Sequence, residues 1–118
     1  MISREEALAF AHDWIDSWNS HDLSRVLSHY EDDFEMSSPV MMQMGLSETG
    51  TLKGKDKIGA YWEKALDKYP DLHFKLIEVL SSVNTVVIYF QSINNKMSGE
   101  FFIFNEKGKV YKAIGHYN

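Results

Sequence analysis

The sequence predicts an α+β domain, with helices packed on one face of a curved, mostly antiparallel sheet. Three observations predict it. Apolar residues recur at helical spacing through the first 70 residues, and after Pro70 the pattern changes to strand-like alternation. The chain then closes on two apolar runs, Gly99 to Phe104 and Val110 to Tyr117, around the polar segment Asn-Glu-Lys-Gly-Lys. Such runs, rich in aromatic and β-branched residues and joined by a glycine-containing turn, read as a β-hairpin.

The first helix opens on a capping box, Ser3 with Glu6 three residues later. Its apolar stripe is Ala7, Leu8, Ala11, Trp14, Ile15 and Trp18, about four turns that end near Asn19. A second helix starts between Ser20 and Asp22 and buries Leu23, Val26, Leu27 and Tyr30. The acidic trio Glu31, Asp32 and Asp33 then reads as a solvated turn that ends the helical pair. Phe34 to Ser38 reads as a short strand stopped by Pro39. The methionine-rich stretch from Val40 to Gly45 reads as a loop. Adaptable methionines there could line a pocket mouth or fill core beneath the loop. Thr51 and Leu52 form a brief strand.

Gly54 opens a third helix with Ile58, Tyr61, Trp62, Ala65, Leu66 and Tyr69 on its apolar side, and Pro70 stops it. Strands follow at Leu72 to Leu80 and Asn84 to Ile93, ahead of the closing hairpin. There is no internal repeat, linker or low-complexity segment, so residues 1–118 read as one domain.

Composition narrows the function. The chain is 44% hydrophobic and 14% aromatic, enough to pack a core, which sets disorder aside. Net charge is −5 with scattered Lys and Arg, so there is no basic face for nucleic acid. The absence of cysteine excludes disulfides and thiol catalysis. The first residues, Met-Ile-Ser-Arg-Glu-Glu, are too acidic for a signal peptide. The longest uncharged stretch, Val79 to Asn95, alternates like strands and does not read as a membrane span. A cytoplasmic protein with no membrane partner is expected.

One residue breaks the pattern of the hairpin. Alternation puts Glu100 on the same face as Phe102 and Phe104. If that face is the buried one, its carboxyl costs free energy unless it is hydrogen-bonded, protonated or used. On the last strand Ala113, Gly115 and Tyr117 share one face, and small residues there leave room for a ligand. His116 shares the other face with Lys112 and Ile114, toward solvent or a partner. His12 and Asp16 stand one helical turn apart, but no third ligand accompanies them, so no metal or cofactor is expected.

Three segments carry a family resemblance. They are Trp14 to Leu23 (Trp-Ile-Asp-Ser-Trp-Asn-Ser-His-Asp-Leu), Tyr30 to Phe34 (Tyr-Glu-Asp-Asp-Phe) and Leu52 to Trp62 (Leu-Lys-Gly-Lys-Asp-Lys-Ile-Gly-Ala-Tyr-Trp). With the element order, they resemble the nuclear transport factor 2-like superfamily over the whole chain. Within it the chain looks most like the SnoaL-like group, which holds polyketide cyclases, ketosteroid isomerases and many proteins of unknown role. The resemblance implies a cone in which a strongly bent sheet wraps three helices and encloses an apolar cavity open at one end. It also implies homodimers through the outer face of the sheet.

Carried over by motif, the tyrosine of the ketosteroid isomerase site falls on Trp14, the general-base aspartate before a proline on Ser38, and the neutral acid on Glu100. The phenol is replaced by an indole and the base by a hydroxyl, which cannot take a carbon-bound proton without a base of its own. That site is not preserved as a whole. Glu100 remains the catalytic candidate, for acid/base chemistry of the isomerase or cyclase kind. Trp14, Trp18, Phe34, Tyr61, Trp62, Phe102 and Tyr117 are candidate lining, with Ser38 and Gln91 as polar points and the Trp14 indole as a second donor. Two functions stay open: binding of a small hydrophobic molecule, with or without turnover, and a non-catalytic dimeric interaction module.

Overall fold

The computed structural model describes all 118 residues. Helix α1 (Arg4–Asn19) has the expected capping box, with Ser3 accepting from the Glu6 backbone and Glu6 accepting from that of Ser3. Its buried stripe includes Ala7, Ala11, Trp14, Ile15 and Trp18. Helix α2 (Leu23–Leu27) follows, capped by Asp22. Strand β1 (Tyr30–Ser37) leads into α3 (Pro39–Gln43), then β2 (Thr51–Lys53) and α4 (Lys55–Lys68). Gly54 caps α4 at a φ of 95°, a backbone conformation that side chains disfavour. The rest is β3 (Lys75–Ser81), β4 (Thr85–Gln91), a 3-10 turn at Ile93–Asn95, β5 (Met97–Phe104) and β6 (Val110–Tyr117).

The six strands form one curved, unclosed sheet in the order β2-β1-β6-β5-β4-β3. Every pair is antiparallel except β1 with β6, which is parallel. The inward faces of β4 and β5 present Val86, Ile88 and Phe90, and Ser98, Glu100 and Phe102, to the helices. Rings from both layers interlock at the centre. The Trp14 ring stands 5.3 Å from Phe90 and 5.3 Å from Phe102, and Trp62 stands 5.3 Å from Trp18 and from Tyr30. Three of these pairs meet edge to face and Trp62 with Tyr30 is tilted, contacts that add to the burial of each ring.

Two elements differ from the sequence expectation. Tyr30 does not end a helix but opens β1, and the acidic trio lies within that strand rather than in a turn. The cause is non-local: Tyr30 pairs with Val110 and Ser37 with Ile114, and a register shift between Tyr30 and Glu35 turns Asp32 outward. There Asp32 meets Lys55 at 3.5 Å. The methionine stretch is not a loop throughout. Ser38 accepts from the Val40 backbone at 3.2 Å and Pro39 takes the first helical position, so α3 forms. Met41 is fully buried beneath it, whereas Met42 and Met44 are exposed.

Candidate functional site

Glu100 projects from the middle of β5 between two strands whose facing residues are Ile88 on β4 and Gly115 on β6. It is 5% exposed. Burial alone pushes its carboxyl up from 4.5 to about 8, and no charge or hydrogen bond of the protein offsets that. Gly115 makes the room. A Cβ there would lie 3.5 Å from Glu100 Oε2, 3.5 Å from the Met36 methyl and 3.1 Å from the Tyr117 hydroxyl. Carboxyl, thioether and phenol therefore surround an inward strand position that lacks a side chain.

Two further tyrosines complete the surroundings. Burial is the main cause that raises the Tyr30, Tyr61 and Tyr117 hydroxyls, with the Glu100 carboxylate second in each case. Tyr117 is pushed up to about 12. All three phenols therefore remain O–H donors at neutral pH. Tyr30 is fully buried and accepts the Trp14 indole N–H at 2.9 Å, which leaves its own proton without a protein acceptor. Ser38 donates to the Tyr117 hydroxyl at 3.4 Å, a long contact. Ser38 also caps α3, so it works as a helix cap and tyrosine support.

The expected lining residues separate into groups. Tyr61 and Tyr117 line a cleft of about 550 Å³ between α3, α4, the 3-10 turn and the end of β6. Trp14, Phe34 and Phe102 are buried in the ring cluster behind it, and Trp62 packs against Trp18, Tyr30 and Phe34. The Trp18 indole N–H is buried there without an acceptor.

Two expectations need correction. Gln91 lies on the opposite face of β4 from Val86, Ile88 and Phe90, and donates to Asn95 at 3.1 Å instead of pointing inward. The Trp14 indole is no second donor to a ligand, because its N–H already donates to the Tyr30 hydroxyl. The exposed His116 places Nδ1 3.2 Å from the Gly99 carbonyl.

Sequence reasoning missed Tyr30 and Met36. Read as a strand from Tyr30 onward, β1 puts Tyr30, Phe34, Met36 and Ser38 on one face by alternation, with Asp32 the exception that the bulge turns outward. All four are buried.

An acid held neutral beside phenolic donors can hydrogen-bond a carbonyl oxygen, and a carboxyl with a pKa near 8 can also exchange protons at neutral pH. Glu100 is the only buried carboxyl of the protein, and the buried Ser38 offers a hydroxyl.

Comparison with known proteins shows the family of the chain. No curated protein matches the chain. A SnoaL-like protein of unknown function from Burkholderia thailandensis is 44% identical, with a TM-score of 0.97 over 99% of this chain and 98% of that one. A candidate isomerase of the SnoaL-like family from Agrobacterium tumefaciens is 18% identical, with a TM-score of 0.75 over 95% and 97%. AclR, a candidate hydroxylase from Streptomyces galilaeus, is 18% identical, with a TM-score of 0.77 over 98% and 81%. At that identity the last two speak for the shared fold. The SnoaL-like domain family matches residues 11–115. The chain belongs to the SnoaL-like family, within the NTF2-like cone fold.

Proposed function

We propose that this protein binds a small hydrophobic ring or chain compound carrying a carbonyl or hydroxyl, and that Glu100 performs isomerase- or cyclase-like proton transfer on it. The observation that carries this reading is the Glu100 carboxyl itself, buried, unpaired and close to the hydroxyl of Tyr117, a residue that lines the cleft. A buried acid without a partner is costly, and a use at a reaction site is one reason to keep it. Ligand oxygen would take the place of the missing partner, receiving the Glu100 proton with Tyr61 and Tyr117 as neighbouring donors. We place the activity in the cytoplasm.

The test is proton exchange at the carbon next to a carbonyl. Hydrophobic cyclic ketones incubated in D₂O should lose α-proton NMR signal faster with the protein than with Glu100→Gln, by tenfold or more. Equal rates would remove Glu100 from any catalysis.

A second reading rests on the outer face of the sheet. Leu80, Val87, Phe101 and Ile114 are paired across β3, β4, β5 and β6 in one apolar row. Leu80 is 61% exposed, and the other three are half-buried. Such a row suits a homodimer interface. In this reading the domain acts as a dimeric interaction module, and the tight contact of Trp14 with Phe102 serves stability alone.

A further inference from the structure

The cleft at the mouth of the cone reverses the charge of the chain around it. Lys64 and Lys68 stand one turn apart on α4, and Lys96 faces them from the segment that enters β5. All three line the cleft. No aspartate or glutamate side chain lines it, although the chain carries a net charge of −5. None of the three lysines enters an ion pair, whereas Lys55 is paired with Asp32. Three unpaired cations around one concavity create a local positive potential, which raises the local concentration of anions. Beside the lysines the lining turns apolar and phenolic at Tyr61 and Tyr117. The acid behind them is held protonated at neutral pH, so the floor does not repel an anion.

We propose that the ligand of this cleft is an amphipathic anion, with an apolar body against Tyr61 and Tyr117 and a singly charged head, such as a carboxylate, held at the rim by Lys64, Lys68 and Lys96. This rests on the reading of the cleft as the ligand site and names the class of compound it takes. A volume of about 550 Å³ suits a compound of two or three fused rings. The cationic rim would orient it by attracting the charged head outward, leaving the uncharged end to approach Glu100.

A matched pair of fluorescent probes tests the charge. 8-Anilinonaphthalene-1-sulfonate and N-phenyl-1-naphthylamine share the aromatic body and differ in the anionic group. At low ionic strength the sulfonate should bind about tenfold more tightly, a size expected from three exposed lysines acting together. Lys64→Gln, Lys68→Gln and Lys96→Gln combined should remove that difference, as should high salt. 2-Naphthoate should displace the sulfonate, and 2-naphthamide should not. Ala65→Trp, which fills the cleft, should block both dyes, and amide shift changes on dye binding should map to its lining. Equal affinity for the two dyes, both mapped to the cleft, would overturn the anionic head while leaving a hydrophobic ligand site. Binding of neither dye, or binding that maps elsewhere and ignores Ala65→Trp, would overturn the head and the ligand site together.

Discussion

Glu100 on β5 and Gly115 on β6 are direct cross-strand partners, and a side chain at Gly115 would touch the Glu100 carboxyl at 3.5 Å while pressing on the Tyr117 hydroxyl at 3.1 Å. Gly115→Ala would set a methyl 3.1 Å from the Tyr117 hydroxyl and 3.5 Å from Glu100 Oε2. The Tyr117 ring, 43% exposed, is the part able to yield. We expect a stability loss of about 1 kcal/mol, together with weaker binding of aromatic probes in the cleft. Chemical denaturation and fluorescence titration check the two effects separately. Unchanged probe affinity would detach Tyr117 from the site.

The acid in the core makes stability depend on pH with a definite sign. In the unfolded chain the Glu100 carboxyl gives up its proton near 4.5, whereas in the fold it holds it to about 8. The folded state thus binds more protons between those values. The stabilising contribution is complete below the lower value and is lost as pH rises to the upper one, by up to about 1.4 kcal/mol per unit. Other groups act in other windows. Burial lowers His29, whose contribution is lost as pH falls below 6.5. Glu6 is lowered mainly by the Ser3 backbone and Glu78 by the Val79 backbone, and both act at the acid end. Glu100→Gln cancels only the first term. Urea midpoints of the parent protein should fall relative to that variant between pH 5 and pH 8. Parallel curves would mean that Glu100 ionises without penalty.

Trp14 and Tyr30 share a buried hydrogen bond of 2.9 Å, and each loses its partner if the other is changed. Trp14→Phe leaves the Tyr30 hydroxyl without a donor, and Tyr30→Phe leaves the indole N–H without an acceptor. Each single change should cost about 2–4 kcal/mol, the first including the loss of packing. The double variant should cost less than the sum by about 1 kcal/mol or more. Strict additivity in thermal or urea unfolding would show that the contact contributes nothing.

Asn19 ends α1 and clamps the approach to β3. Its amide donates to the Phe74 carbonyl at 2.9 Å and its carbonyl accepts from the Phe74 backbone at 2.6 Å. Asn19→Ala removes both bonds from a part-buried site. A loss of about 2 kcal/mol is expected, with earlier hydrogen exchange at Phe74 than at Val86 in the sheet interior.

If the outer row of the sheet is a homodimer interface, Phe101→Glu should convert a dimer into a monomer. The paired position of Phe101 between Val87 and Ile114 puts a charge in the centre of the row. Sedimentation equilibrium reads the mass directly. A parent protein that sediments as a single chain at micromolar concentration would remove the dimer, and with it the interaction-module reading.

Local rules carried much of this protein. The capping box at Ser3 and Glu6, the stripe from Ala7 to Trp18 and the stop at Pro70 are short-range signals, and the structure has α1 and α4 where they indicate. Alternation alone put Glu100 with Phe102 on one face, and both are buried. What failed were features whose cause lies far along the chain. Tyr30 became a strand residue because Val110 pairs with it, and a bulge overrode the parity of Asp32. Alternation says which residues share a face but not which face is covered, so Gln91 was placed inward when the helices cover the other side of β4. The sequence leaves the Trp14 donor free for a ligand because its acceptor, Tyr30, lies on a different element. The meeting of Lys64 and Lys68 with Lys96 is likewise a product of topology. Periodicity and capping act within a few residues and are written in the sequence, whereas partner choice and cleft electrostatics arise only when distant segments are brought together.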